Sequence, residues 1–216
     1  MDLRRLRHTY DARAASYDRT VGLGERVLVG GLRRAFGMEL RGEVLEVAVG
    51  SGLNLPFYGP AVERAVGLDL SGAMLARARA RGRAEDAALP IRLVQGNAQR
   101  LPFSDGAFDT VAVSLALCTV PDPGATLQEM ARVCRSGGRV LLLEHVRSPV
   151  PPVAWLQRLL SPVQERFIGC HLARETVTTL REAGFTVRSE RRRLLGVFRL
   201  VVADPPPDGG GTDAAA

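Results

Sequence analysis

The stretch VLEVAVGSGLNLPFY, residues 44–58, decides the fold of this chain. Its first six residues show strand-like alternation, and they run into the bend Gly50-Ser51-Gly52. Glycine at the end of a strand allows positive φ angles and lets a ligand approach the backbone closely. The stretch therefore predicts a strand at residues 44–49 that ends in a ligand-binding loop.

Short apolar runs alternate with helical patterns along the rest of the chain. Further strands are predicted at residues 66–70, 91–95, 110–115 and 139–144, and helices at residues 71–82 and 125–134. A final pair of strands, at residues 186–192 and 197–202, is joined by a short turn through Gly196 and requires an antiparallel hairpin at one edge. The alternation predicts an α/β fold, with a seven-stranded, mostly parallel sheet, one antiparallel edge strand and helices on both faces.

The length of 216 residues suits one domain with a sizeable core. We predict a single domain over residues 1–204. It has a helical segment at residues 1–43, broken near Gly22, and a helical insert at residues 149–184. The tail at residues 205–216 is rich in proline and glycine and is predicted to be disordered.

The charge of the chain does not indicate a nucleic-acid partner. The formal net charge is +6, and the 29 basic residues are all arginines. They are spread widely and lack the interleaved aromatic residues on which nucleic-acid bases stack. We therefore expect no nucleic-acid partner, and nothing in the sequence indicates an oligomeric state.

The sequence shows neither a secretory signal nor a transmembrane segment. The longest apolar-rich run, residues 111–120, is too short to span a bilayer, so we expect a cytoplasmic protein. The three cysteines, Cys118, Cys134 and Cys170, are scattered and odd in number. They match neither a disulfide framework nor a zinc motif, and we expect no metal site.

Three classes of ligand compete for the glycine loop. A Walker loop needs a lysine, which the chain lacks, and a dinucleotide fingerprint needs a third glycine where this chain has Leu55. S-adenosylmethionine has no phosphate. It needs backbone N–H groups for its carboxylate, an acid for its ribose hydroxyls, and a polar group beside an apolar slot for its adenine. Asp69 ends the second strand and Asn97-Ala98 follows the third, where these groups are needed.

Four motifs, in order and spacing, resemble those of class I methyltransferases, in the branch that includes ubiquinone/menaquinone methyltransferases. They are VLEVAVGSG, GLDLSGAML, GNAQRLPFSDGAFDTV and LQEMARVCRSGGRVLLLEH. YDARAASYD, residues 10–18, resembles the N-terminal segment that lies over the cofactor in that family. The resemblance covers residues 10–203 and implies a Rossmann-like fold, S-adenosyl-L-methionine as cofactor, and a lid at residues 1–43.

Motifs after the fourth strand resemble methyltransferase-like protein 7, a group of thiol methyltransferases found on lipid membranes. They are LALCTVPDPGATLQEMARV, LLEHVRSP and GCHLARETVTTLREAGF; NLPFY also fits bacterial phosphatidylethanolamine N-methyltransferases. The chain shows no counterpart of the N-terminal apolar anchor of the former group. The resemblance implies a small-molecule, lipophilic acceptor with a sulfur or nitrogen nucleophile, and a transient contact with a membrane surface.

Other functions remain open on the sequence alone. A quinone-type C- or O-methyltransferase, a catalytically idle methyltransferase fold that binds a partner, and an NAD-dependent oxidoreductase are the alternatives. In the favoured function the sulfonium of the cofactor is already activated. Methyl transfer is then an in-line displacement, in which the enzyme aligns the nucleophile with the methyl group and excludes water.

The expected roles differ along the chain. Glu46 anchors the loop through backbone N–H groups or reaches the cofactor ammonium through water, and Asp69 accepts from the ribose hydroxyls. The predicted cofactor-binding residues are Tyr10, Tyr17, Glu46, Ala48, Gly50, Ser51, Gly52, Asn54, Asp69, Leu70, Met74, Asn97, Ala98 and Leu115. Ala48 stands where the family has a glycine. His145, at the end of the fifth strand, is the predicted general base, with His171 as the second candidate.

The insert also carries apolar residues at helical spacing: Trp155, Leu156, Leu159, Leu160, Val163, Phe167 and Ile168. They are predicted either to pack on the sheet or to form, with the N-terminal helices, an apolar lid around a lipophilic substrate.

Overall fold

The computed structural model describes residues 2–84 and 91–207. Helices α1 (Leu3–Leu28) and α2 (Gly30–Glu39) come before strand β1 (Gly42–Val47). Then follow β2 (Val62–Asp69), α3 (Gly72–Ala84), β3 (Ile91–Gln95), β4 (Phe108–Ser114), α4 (Pro123–Val133) and β5 (Cys134–His145). The insert forms α5 (Pro151–Ile168) and α6 (Thr176–Glu182), and the chain continues into β6 (Thr186–Arg193) and β7 (Phe198–Asp204).

The seven strands form one sheet in the order β3-β2-β1-β4-β5-β7-β6. Strands β1 to β5 are parallel, and β7 runs antiparallel to both of its neighbours. The predicted, mostly parallel sheet with an antiparallel hairpin at one edge is confirmed. The strand order reverses between β1 and β4, and open α/β sheets bind ligands at such a switch point, outside the carboxyl ends of the strands.

Both faces of the sheet are covered, as the apolar strand sequences predict. Along β5, Leu142 joins the core on the side of α4, whereas Leu141 and Leu143 pack on the side of Phe36 from α2. Successive side chains of a strand point to opposite faces, so a strand buried on both sides must be apolar throughout. The rigid, buried centre of the sheet positions the loops at its carboxyl edge.

The break in the N-terminal helices lies at Val29, so the prediction of a break near Gly22 is wrong. Helix α1 continues through Gly22, where an added Cβ would meet no atom within 4 Å, and a helical glycine costs only about 1 kcal/mol. Val29 instead is 1% exposed and joins Phe36 in the core beneath α2. Burial of the second helix on the sheet therefore decides where the chain turns.

The glycines after α4 also behave differently from a simple turn. Cys134 pairs with Phe108 and Arg139 pairs with Thr110, so residues 135–138 form a bulge within β5. Gly137 has a φ of +74°, which a glycine adopts without strain. The strand predicted at residues 139–144 thus begins earlier, at Cys134, and contains this bulge.

Two predictions concern the ends of the chain and its membrane behaviour. No helix in the described ranges has the length and apolar character needed to cross a membrane.

Residues 205–207 follow β7 without regular structure, and residues 208–216 lie outside the described residues. Disorder of the tail therefore stays a prediction.

Candidate functional site

A cleft of about 750 Å³, including space open to solvent, lies at the carboxyl ends of the central strands and beneath α1. Ten of the predicted cofactor-binding residues line the cleft. They are Tyr10, Tyr17, Ala48, Gly50, Asp69, Leu70, Met74, Asn97, Ala98 and Leu115. Ser51 and Asn54 line a smaller pocket that shares Tyr17 and Gly50 with the cleft.

The two glycines of the loop have different tasks. At Gly50, φ is +58° and an added Cβ would meet only the Ala48 carbonyl oxygen, at 4.0 Å, so the loop backbone is open to the cleft. At Gly52, an added Cβ would lie 2.8 Å from Leu55 Cδ1 and 3.1 Å from Ala78 Cα of α3. Gly50 therefore leaves room for a ligand, whereas Gly52 permits close packing of the loop on the helix.

Asp69 ties the glycine loop to the start of α3. Its Oδ2 accepts a hydrogen bond from the Gly50 N–H at 2.9 Å, and its Oδ1 accepts one from the Ser71 N–H at 2.8 Å. Burial raises the pKa of this carboxyl, and the two backbone donors oppose that rise. The side chain both fixes the loop and faces the cleft. Its contact with a ribose stays a prediction.

Glu46 lies beneath the loop, fully buried, and does not line the cleft. It accepts hydrogen bonds from the Asn54 amide and the Tyr58 hydroxyl, and Arg33 donates to the Asn54 side-chain oxygen. Asn54 also donates to Ser114 Oγ at 2.7 Å. The predicted anchoring role is thus supported, but side chains rather than backbone N–H groups are the partners.

The electrostatic state of Glu46 follows from its burial. Desolvation raises the pKa of this carboxyl to about 7, although the hydrogen bonds from Tyr58 and Asn54 act in the opposite direction. A buried carboxylate is costly unless paired, and this network supplies the pairing.

Helix α1 is held over the cleft by two aspartates that sequence reasoning missed. Asp11 accepts a hydrogen bond from Ser71 Oγ at 2.5 Å, and Asp18 accepts one from Ser51 Oγ at 2.6 Å. Asp18 also pairs with Arg81 of α3 at 2.7 Å. The repeated dipeptide Tyr-Asp in YDARAASYD, with a spacing of seven residues, is the signal that was available.

The same spacing brings the two tyrosines together on the cleft side of α1. The rings of Tyr10 and Tyr17 lie 6.3 Å apart between centroids, and both line the cleft. Their position places α1 along the cleft, and the prediction that this segment covers a bound cofactor stays a prediction.

Two non-glycine residues in the cleft wall have a left-handed backbone. Ala48 has a φ of +55° and Leu115 a φ of +50°, and each such residue costs about 1–2 kcal/mol. Ala48 occupies the position at which the resembled family has glycine, and its φ explains that preference. Backbone strain of this kind concentrates at functional sites.

The two histidines predicted as general bases do not line the described cleft. Among the described residues that line it, neither His145 nor His171 occurs. His145 Nε2 lies 3.2 Å from Cys170 Sγ, and His171 Nδ1 lies 3.5 Å from a Glu165 carboxylate oxygen. A general-base role for either histidine stays a prediction.

A cluster of sulfur and nitrogen atoms adjoins His145. The ligand atoms of Cys118, His145 and Cys170 all lie within 4.8 Å of one another. The spacing of these three residues along the sequence does not predict the cluster. The available signal was topological, because Cys118 and His145 follow the carboxyl ends of the neighbouring strands β4 and β5.

Residues 45–142, which span most of β1 to β5, match a family described as a methyltransferase domain. This match identifies a methyltransferase domain within the chain, and the cofactor of class I methyltransferases is S-adenosylmethionine. The match and the mostly parallel sheet agree with the family that the sequence motifs resemble.

Two curated relatives support this family. The chain is 42% identical over 132 residues to a phosphatidylethanolamine N-methyltransferase of Cereibacter sphaeroides, a match that covers 60% of this chain and 63% of the relative. It is 36% identical over 139 residues to a demethylmenaquinone methyltransferase of Mycolicibacterium vanbaalenii, covering 62% of this chain and 58% of that protein. The chain thus spans less than two thirds of the length of these relatives.

A solved structure shares the complete fold of this methyltransferase domain. An S-adenosylmethionine-dependent methyltransferase of Thermotoga maritima superposes with a TM-score of 0.71 at 20% identity, covering 93% of this chain and 99% of that one. At this identity the likeness establishes the fold.

We predict that Asp69→Asn weakens S-adenosylmethionine binding about tenfold or more. Asparagine offers one acceptor oxygen where Gly50 and Ser71 present two N–H groups, and an unsatisfied buried donor costs about 1–3 kcal/mol. Isothermal titration calorimetry measures the change. Glu63→Gln, at an exposed position of the same strand, is the matched control. Equal affinity in Asp69→Asn and wild type would contradict the role of Asp69.

We also predict that the titration of Glu46 lowers stability as the pH rises. The pKa of Glu46 in the folded protein, about 7, exceeds the ordinary value of 4.5. The contribution of this carboxyl to the free energy of unfolding is therefore fully present below pH 4.5 and is lost as the pH rises through 7. The loss is on the order of 1–3 kcal/mol. Between pH 5 and pH 8, the free energy of unfolding measured in urea should fall less in Glu46→Gln than in wild type. An identical fall in both proteins would assign the pH dependence to other groups.

Proposed function

We propose that the protein transfers the methyl group of S-adenosylmethionine to nitrogen or sulfur of a small, lipophilic acceptor. A lone pair of the acceptor forms the bond to the methyl carbon, and the electron pair of the breaking C–S bond returns to the cofactor sulfur. The observation that carries the proposal is the cleft, in which an open glycine loop, a buried carboxylate and a polar turn meet at the switch point beneath α1.

Each part of the cofactor has a counterpart in this cleft. The open space beside the Gly50 backbone leaves room for the methionine end of the cofactor, and Asp69 lies at the position for the ribose. Asn97 and Ala98 offer a polar group and a small apolar surface for adenine, with Met74 beside them in the wall. These residues come from three different strand ends, so the folded sheet assembles the site before any ligand binds.

The nature of the acceptor is supported by the relatives and by the walls of the cleft. One relative is named for N-methylation of phosphatidylethanolamine and the other for methylation of demethylmenaquinone, and both named substrates are lipids. Beside the cofactor positions, the cleft wall continues over Leu3, Leu6 and Val120, which are apolar. A lipophilic acceptor is therefore favoured over a polar metabolite.

Helix α5 presents an apolar face to solvent. Five side chains form this α5 face: Trp155, Leu156, Leu159, Leu160 and Val163, which are 46–66% exposed. None of them packs in the described core, so the predicted packing on the sheet is wrong for these five. None of them lines the described cleft, and a lid around a substrate stays a prediction. The side chains of Phe167 and Ile168 lie outside the described part of the chain.

The α5 face continues into the turn of the final hairpin. Leu194 and Leu195 are 44% and 64% exposed, and both have positive φ angles, a strained conformation for leucine. The Leu195 carbonyl accepts a hydrogen bond from Ser148 Oγ at 2.6 Å, which brings the turn beside the start of α5. Strain that keeps two leucines exposed indicates a surface that contacts something apolar.

The charged residues near the α5 face indicate which kind of apolar partner it contacts. Exposed arginines at positions 158 and 166 lie on α5, and residues 191–193 directly before Leu194 are all arginines. An amphipathic helix with tryptophan, leucine and arginine is typical of binding in the plane of an anionic lipid surface. We therefore propose that the α5 face docks on such a surface, from which the acceptor reaches the cleft.

The function is tested by turnover with methyl-labelled S-adenosylmethionine and a panel of thiols, phosphatidylethanolamine vesicles and quinols. We expect a labelled thioether or N-methyl product by mass spectrometry, and much less of it from Asp69→Asn at a cofactor concentration near the wild-type Kd. Label found only on quinol carbon or oxygen would contradict the choice of acceptor. Calorimetric binding of the cofactor without any product would identify an idle fold.

We predict that Trp155→Ser with Leu159→Ser lowers affinity for vesicles containing an anionic phospholipid by more than tenfold. Burial of each large apolar side chain contributes about 1.5–3 kcal/mol. Sedimentation with vesicles measures the affinity. Met38→Ser, at a 58% exposed apolar position on α2, is the control and should bind as wild type does. Equal sedimentation of all three proteins would exclude the α5 face as the docking surface.

A further inference from the structure

Three segments that are distant in sequence bring two thiols and an imidazole together. Cys118 follows β4, His145 ends β5, and Cys170 follows α5. Their ligand atoms lie within 4.8 Å of one another, and the His145 Nε2–Cys170 Sγ distance is 3.2 Å. Neither the glycine loop nor the cofactor positions require this cluster.

The dimensions of the cluster suit a tetrahedral metal ion. Zinc binds thiolate sulfur at about 2.3 Å and imidazole nitrogen at about 2.0–2.1 Å, which places tetrahedral ligand atoms roughly 3.6–3.8 Å apart. The one measured contact, 3.2 Å, and the limit of 4.8 Å for all three atoms are compatible with these values, so small side-chain movements close the set around one ion. Two thiolates and one imidazole are ligands that favour zinc over magnesium or calcium.

The backbone around the cluster is firmly held. The His171 N–H donates to the Cys118 carbonyl at 3.0 Å, which joins two of the three segments directly. Gly169, with a φ of +78°, ends α5 immediately before Cys170. The Glu144 carboxylate accepts from the Ala116 and Leu117 N–H groups at 2.8 and 2.9 Å, which fixes the approach to Cys118. Ligands positioned in this way lose little freedom when they bind an ion.

Polar atoms without partners mark the same place. The second ring nitrogen of His145 and the second carboxylate oxygen of Glu144 are buried, and neither has a hydrogen-bond partner in the described structure. Buried polar groups are nearly always paired, so an exception requires an explanation. In histidines that bind metals this second nitrogen usually engages an outer partner; in His145 it has none among the described residues, so the ring is oriented through its Nε2 contact with Cys170.

We propose that Cys118, His145 and Cys170 bind a zinc ion beside the methyl-transfer cleft. Three protein ligands leave a fourth tetrahedral position, which is the arrangement of catalytic rather than closed structural zinc sites. Leu115, Ala116 and Thr119, on either side of Cys118, line the cleft, so the ion lies next to the space for the acceptor. Binding at the three residues does not depend on the proposed function; only the use of the fourth position does.

The first test is metal binding by the reduced full-length protein. Elemental analysis after zinc loading and dialysis should give one equivalent per chain, and cobalt(II) should produce thiolate-to-metal charge-transfer absorption. Cys118→Ser, His145→Gln and Cys170→Ser should each lose the ion, whereas Cys134→Ser should keep it. Cys134 lies apart from the cluster, with its sulfur 3.6 Å from the Arg139 carbonyl oxygen. Absence of stoichiometric binding, or full binding by Cys170→Ser, would overturn the proposal.

A second test needs no variant and so does not depend on whether the variants fold. Alkylation of the native protein, followed by peptide mass spectrometry, should show Cys118 and Cys170 protected more than tenfold by zinc, with Cys134 unaffected. Equal rates with and without zinc, or a Cys118–Cys170 disulfide in protein kept under reducing, anaerobic conditions, would overturn the site. Calorimetry with S-adenosylmethionine on Cys170→Ser reports on the cofactor cleft separately, and we expect unchanged affinity there.

Discussion

The carboxylate of Asp69 is the contact on which the geometry of the cleft depends. It holds the Gly50 and Ser71 N–H groups at once, and so joins the end of β1 to the start of α3 across the carboxyl edge of the sheet. Ser71 in turn donates to Asp11, which places α1 above the cleft. Loop, helix and lid therefore share one chain of hydrogen bonds, and the cavity beneath them has a defined shape without a ligand.

Buried carboxylates recur along this edge. Glu46 lies at 0% exposure and Glu144 at 2%, and burial raises the pKa of each to about 7. Each is held differently: Glu46 by side chains of Asn54 and Tyr58, and Glu144 by two backbone N–H groups after β4. Such groups cost stability unless they are satisfied, so their concentration where the strands end is a sign that this edge is built for chemistry rather than for packing.

Local patterns predicted the sheet and the glycine loop, because alternation, glycine and apolar runs act over a few residues. The partners of Asp11 and Asp18 were not predictable in that way, since Ser71 lies 60 residues from Asp11 and pairs with it only in the folded chain. The cysteine cluster was missed for the same reason. Helical spacing identified an apolar face on α5 but carried no information on whether the sheet covers it. The break between α1 and α2 lies at Val29 and not at Gly22, because burial outweighs the weak local preference of glycine.

The ion pairs and hydrogen bonds that hold α1 over the cleft respond differently to ionic strength. Asp18 is clamped by Arg81 and Arg77 at 2.7 and 3.1 Å, and these side chains are 23–38% exposed, so dissolved salt weakens the clamp. The hydroxyl contacts from Ser51 and Ser71 carry no net charge on the donor and respond less to ionic strength. Because α1 forms one wall of the cleft, ionic strength therefore acts on how firmly that wall is held in place.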